Sequence, residues 1–207
     1  KRAVNEFSTR AITGLSYEYK ESHCLVRLLT REAGRLAVSV PGARSARGGK
    51  GRAAWLEPLC EVEAHLRLRE GAEVASLADL EGIEAREALR ADVDRFALAS
   101  FLLEIALEAA PVGEPAPALF DAVALALGDM ERAAESPPLT LAAFWVLRVM
   151  TLLGVAPRID DALLSGAWKR SAAPASEGKE APRKPARFFL DVEKGLILAA
   201  PGEPGAR

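Results

Sequence analysis

Hydrophobic and polar positions alternate with a period of two through the first eighty residues, then switch to a spacing of three and four. After a frayed lead-in, Lys1–Ser8, the first strand is expected at Thr9–Leu15, weakened by Gly14, with Ser16–Glu21 as a polar, aromatic connection. From His23 onward, Leu25–Thr30 and Leu36–Val40 read as two strands around a tight turn at Glu32-Ala33-Gly34. Beyond the Pro41–Arg52 loop, the run from Leu56 alternates cleanly. Leu56, Cys60, Val62, Ala64, Leu66 and Leu68 take one face, and Glu57, Glu61, Glu63, His65, Arg67 and Arg69 the other. That period marks a strand with one wet face. Glu70-Gly71 supplies a turn and Val74–Leu80 a fifth, shorter strand. Five short antiparallel strands suit a small barrel such as the OB-fold; an SH3-like barrel or an open meander fits the same pattern.

From Glu84 the spacing of Leu89, Val93, Phe96, Ala97, Ser100, Leu103 and Leu107 places one face of a helix running to about Ala110. Pro111–Pro115 stops it. Leu119, Phe120, Val123, Leu127 and Met130 form a second helix, and Ser136-Pro137-Pro138 breaks the chain again. A third helix, capped by Thr140, carries Leu141, Phe144, Trp145, Val149 and Leu152 and closes at Gly154 and Pro157. Short connections between three helices predict a compact antiparallel bundle. Ser171–Arg187 is rich in Pro, Ala and charge and reads as a linker, while Phe188–Leu198 returns to strand-like hydrophobicity. The apolar run Leu139–Ala156 is short for a membrane span and holds Arg148 in its middle, so a buried helix is expected.

The composition is that of an ordinary globular protein, but the charge is uneven: net −2 in total, with eleven Lys/Arg against four acidic residues in Lys1–Trp55. The Pro41–Arg52 loop concentrates Arg44, Arg47, Lys50 and Arg52 among glycines and has too little apolar surface to order itself by burial. It is either a mobile linker or a cationic arm for a polyanion. Two cysteines, Cys24 and Cys60, both in strand-like runs, indicate small hydrophobes in a reducing cytosol, not a disulfide framework. Lys1–Leu15 lacks the features of a signal peptide, and the expected location is cytoplasmic and nucleoid-associated.

Catalytic signatures are missing. There is no phosphate-cradling loop ending in Lys-Ser/Thr, no nucleophile elbow and no His-Glu-x-x-His pair, so an enzyme is not expected. His23, Cys24, Cys60 and His65 are the one conceivable metal set, and Cys60 and His65 fall on opposite faces by parity. Glu104 and Arg148 interrupt apolar helical runs; they either reach a helix boundary, pair with each other across the bundle, or, for Arg148, rim a groove for an acidic, apolar peptide.

The run LLTREAGRLAVSVPGARSAR followed by LEPLCEVEAHL resembles the amino-terminal OB-fold of the RecO family, bacterial recombination mediators. DVDRFALASFLLEIALEAA, PALFDAVALAL and the closing LLGVAP are similar to that family's helical domain, in order from about Thr9 to Gly166. The fold this implies is α+β. An OB-fold barrel spans 1–82 and an α-helical domain 83–166; a flexible linker at 167–187 precedes a remnant of the family's zinc lobe at 188–207.

The resemblance further implies a non-enzymatic mediator that binds single- and double-stranded DNA and anneals complementary strands. It would engage the acidic tail of single-strand-binding protein (SSB), partner with RecR and assist loading of RecA. DNA contacts would fall on Arg35, Arg44, Arg47, Lys50 and Arg52, with Arg10, Lys20, Arg27 and Arg31 nearby. Tyr17, Tyr19 and Trp55 are the aromatic candidates for base stacking, with strand-start anchoring the competing role of Trp55. Arg132 and Arg148 are the candidates for holding the SSB tail. Where many family members carry four zinc-binding cysteines, this chain has Ala162, Ser165, Leu198 and Pro201, so no cofactor is expected, and Leu163, Leu164, Phe188, Phe189, Leu196 and Ile197 would hold the lobe by apolar packing. The chain stops at Arg207, short of the further helix usual in the family. The alternative is a barrel-and-helix adaptor that assembles proteins and does not bind DNA.

Overall fold

A computed structural model of the 207-residue chain describes residues 4–19, 23–41, 54–70, 72–133, 138–156, 188–191 and 195–198. Two compact units are present, Lys1–Gly154 and Val155–Arg207. In the first, β1 (Val4–Tyr19), β2 (His23–Thr30), β3 (Gly34–Pro41), β4 (Glu61–Arg69) and β5 (Val74–Glu84) close into a barrel with neighbour order β1-β2-β3-β5-β4. Closure in that order is the OB-fold topology and excludes the open meander. Four of the five junctions are antiparallel. The fifth, between β3 and β5, is parallel, pairing Ala37–Ser39 with Val74–Ser76, which corrects the expectation of antiparallel pairing throughout. Alternate residues turn inward, so Val26, Leu28, Leu36, Val38, Val62, Ala64 and Leu66 fill the barrel.

Several strand limits differ from the sequence expectation. The lead-in at Val4–Ser8 is ordered strand, paired with Arg69–His65 of β4, and Ser16–Tyr19 pairs with His23–Val26 where a connection was expected. One long strand, bulged between Thr13 and Ser16, thus serves two neighbours. The fourth strand begins at Glu61, not Leu56. Leu59 has φ 71, and the amides of Leu59 and Thr13 donate to Thr13 O (2.8 Å) and Cys60 O (2.9 Å), folding residues 56–60 into a turn. Leu56, Leu59 and Cys60 are nevertheless buried. The fifth strand continues past Leu80 to Glu84.

The expected single helix from Glu84 to Ala110 is two, α1 (Glu87–Ala91) and α2 (Val93–Ala109). Asp92 separates them in extended backbone, its carboxylate accepting from the amides of Asp94 (3.0 Å) and Arg95 (3.1 Å) as an N-cap. That break resets the helical phase. Ala99, Leu102, Leu103, Ala106 and Leu107 are the buried positions of α2, whereas Val93 and Ala97 are exposed. Next come α3 (Pro117–Arg132) and α4 (Pro138–Leu152), which pack on α2 and on each other. Thr140 lies inside α4 and not at its cap, because the helix starts at Pro138, a residue whose fixed φ suits a first turn. No described helix is long and apolar enough to cross a membrane.

The barrel and the helices share a core. Ile12, Leu29 and Leu59 point away from the barrel interior and are buried with Leu103, Leu107, Phe120 and Val123. In the second unit, β6 (Phe188–Asp191) and β7 (Gly195–Leu198) form an antiparallel pair with Phe188 opposite Leu198. The expected linker 167–187, together with Leu163 and Leu164, lies outside the described residues.

Candidate nucleic-acid interface

Strand parity decides where the barrel's arginines go. On β2, Val26 and Leu28 face the barrel interior, so Arg27 and Leu29 share the opposite side, and Leu29 is drawn into the helical core, while Arg31 follows in the turn. The flanking guanidiniums are thereby carried to the helices. Glu108 of α2 receives two of them: Arg27 Nη2 donates to Oε1 at 2.6 Å and Arg35 Nη1 to Oε2 at 3.1 Å. Arg31 forks onto Asp121 of α3, through Nε at 3.0 Å and Nη2 at 3.2 Å. These hydrogen bonds pull the Glu108 and Asp121 carboxyls below their ordinary range, and the Asp121 contact raises the Arg31 guanidinium. Backbone bonds lock the same seam, from Arg35 N to Pro111 O (2.8 Å) and from Ala116 N to Arg31 O (3.2 Å).

Arg10 is also engaged. It donates to Glu61 and lies with its guanidinium carbon 5.7 Å from the centroid of the Phe120 ring. Glu61, expected on a wet face, is buried because the helices cover that end of β4. Its second oxygen accepts from Arg86 Nη2 at 3.1 Å, and Arg86 Nη1 reaches Glu131 at 3.4 Å. Arg86 sits at φ 51 between β5 and α1 and is itself buried. Sequence reasoning missed this cluster, since an arginine between a strand and a helix has no periodicity to mark it.

Of the remaining candidates, Lys20, Arg44, Arg47, Lys50 and Arg52 lie outside the described residues. Tyr17 is exposed and Tyr19 half-buried at the carboxyl-terminal end of β1. Trp55 packs its ring on Gly82, where any Cβ would collide with it. Arg132 is exposed and pairs with Asp129 at 3.2 Å. Arg148 lies on the exposed side of α4 with Phe144 and Leu147; Glu104 is exposed on α2, and the two do not pair. Cys60 is buried, accepting from Arg90 Nη1 at 3.2 Å, and burial pushes its thiol up. His65 is exposed and shares a 2.6 Å hydrogen bond with Ser8.

Two family descriptions divide the chain at this same junction. "Recombination protein O N terminal" matches residues 4–86, and "Recombination protein O C terminal" matches residues 90–191. The chain belongs to the RecO family. Among curated relatives, a DNA repair protein RecO of Anaeromyxobacter dehalogenans (strain 2CP-C) is 35% identical over 190 residues, covering 90% of this chain and 68% of the relative. The RecO of Syntrophobacter fumaroxidans is 31% identical over 199 residues, 96% of this chain and 72% of that protein. That of Desulforudis audaxviator is 28% identical over 209 residues, 96% and 81% respectively. Four thiolates, as a tetrahedral zinc site built from cysteine alone requires, are not available in this sequence. The chain has two cysteines, Cys24 in β2 and Cys60 before β4, and Leu198 of β7, one of the four matching positions, offers no ligand atom.

Proposed function

We propose that the protein is a DNA repair and recombination mediator that gathers single- and double-stranded DNA, anneals complementary strands and, with RecR, assists loading of RecA onto SSB-coated DNA. The observation that carries this reading is the family match across both the closed OB-type barrel and the helical segment. The DNA seat is the segment joining β3 to β4, whose Arg44, Arg47, Lys50 and Arg52 supply cations without a fixed sequence requirement. Lys20 adds to it, and Tyr17 is the exposed aromatic available for stacking. Arg10, Arg27, Arg31 and Arg35 are committed to carboxylates and contribute little in that state. No covalent step or cofactor is needed. Neutralising backbone charge lets two polyanions approach, and tethering through the SSB tail raises the local concentration of coated DNA.

The SSB tail is assigned to the helical segment, where Arg148 stands beside the exposed Phe144 and Leu147, with Arg132 at the end of the preceding helix. Fluorescence anisotropy with labelled single-stranded DNA, titrated with salt, tests the central claim. Affinity should fall log-linearly with salt, and R44E/R47E should flatten the dependence. Absence of binding at low salt would transfer the reading to a protein–protein adaptor. For the tail, R132A/R148A should weaken binding of an acidic, apolar peptide; unchanged binding would remove that assignment.

A further inference from the structure

Arg27, Arg31 and Arg35 form a row on the barrel beside Leu29, and every member of it ends on a carboxylate from a helix. The contacts imitate those that arginine makes to phosphate. Asp121 takes the Arg31 fork on both oxygens, as a phosphate would, and Glu108 offers one oxygen to each of the other two. The seam is not sealed. The side chains of Glu108 and Asp121 are 60% and 50% exposed, and those of Arg27, Arg31 and Arg35 are 25%, 39% and 29% exposed. A polyanion at the surface therefore reaches the outer N–H groups of guanidiniums whose charge is already matched. Exposed ion pairs of this kind are individually weak, so they are displaced by a ligand offering several phosphates at once.

We propose that the arginine row is a second polyanion-binding surface, held shut by Glu108 and Asp121 acting as phosphate mimics. This rests on the DNA-binding reading above and deepens it. Nucleic acid entering the row displaces two helix-borne carboxylates, so occupancy of the barrel is communicated to α2 and α3.

The test is anisotropy of full-length protein with a labelled oligothymidylate, comparing wild type with E108Q/D121N across a salt series. Releasing three arginines should tighten binding roughly tenfold near 0.1 M salt. It should also steepen the slope of log affinity against log salt by about 2, three contacts at about 0.7 each for a single strand. Replacing the row, R27Q/R31Q/R35Q, in the E108Q/D121N background should abolish the gain in both quantities. Unchanged affinity and slope in a folded E108Q/D121N protein would overturn the proposal while leaving DNA binding by the β3–β4 segment intact. Should neither protein bind DNA, retention on heparin decides: later elution of E108Q/D121N supports a shuttered polyanion surface, and equal elution rejects it. The single variants E108Q and D121N, each expected to shift binding in the same direction by less, serve if the double variant does not fold.

Discussion

Arg86 and Glu61 meet at 3.1 Å with side chains only 7% and 5% exposed, joining the start of β4 to the first residues beyond β5. A charge pair so far from water persists because each member has further partners: Arg10 on Glu61, and Glu131 on Arg86. Removing one member strands the other. E61Q is expected to destabilise the first unit by about 3 kcal/mol, and E61M/R86M by less than E61M alone, since the charges that the double change leaves behind, Arg10 and Glu131, have 48% and 21% of their side chains exposed to water. Urea unfolding of these variants and of R86M checks this; a loss in E61M/R86M equal to the sum of the E61M and R86M losses would mean that the two residues are not coupled.

Gly34 is the point where the β2–β3 hairpin touches the loop between α2 and α3. Its φ is 58, and a Cβ there would press on the Pro111 carbonyl and lie 2.7 Å from Glu114 O. G34A therefore combines backbone strain with a clash against backbone. A loss of about 2 kcal/mol or more is expected. Heteronuclear NMR should show shifts spreading from the hairpin into residues 111–116, whereas changes confined to the hairpin would contradict the docking role.

Trp55 owes its position to Gly82, whose missing side chain leaves room for the indole ring. G82A should displace the ring at a cost of about 1–3 kcal/mol. Tryptophan emission should shift toward the red, read against W55F to isolate this residue. If Trp55 stacks on bases in addition, G82A will weaken oligonucleotide binding beyond the loss of stability.

Acid should loosen the barrel–helix seam. Glu108 and Asp121 hold carboxyls depressed by Arg27, Arg35 and Arg31, so folding binds their protons less tightly than the unfolded chain does. Their support is complete above the unfolded carboxylate values near pH 4 and is lost as pH falls through the lower folded values. The melting temperature of wild type should thus converge on that of E108Q/D121N below about pH 4 and separate from it above. The groups are exposed, so the separation is small and shrinks with salt.

Much of the architecture was legible as period. The alternation through Val62, Ala64 and Leu66 marked a strand, the turn at Glu32-Ala33-Gly34 joined β2 to β3, and proline breaks bounded α3. These features are local, because a pleated strand or a helical face needs its apolar residues at fixed intervals whatever lies across from them. What the interval could not say is which neighbour each face meets. Leu29 and Arg27 fall on the same face of the expected strand, yet the first enters the helical core and the second lands on Glu108. Glu61 read as a wet-face carboxylate until helix packing covered it and brought Arg86 to its side. Charge composition thus announced a basic front end, while pairing between segments 51 to 90 residues apart determined which of those charges are already spent. Coulombic partners are chosen by distance in space, which only the closed barrel and its docked helices establish.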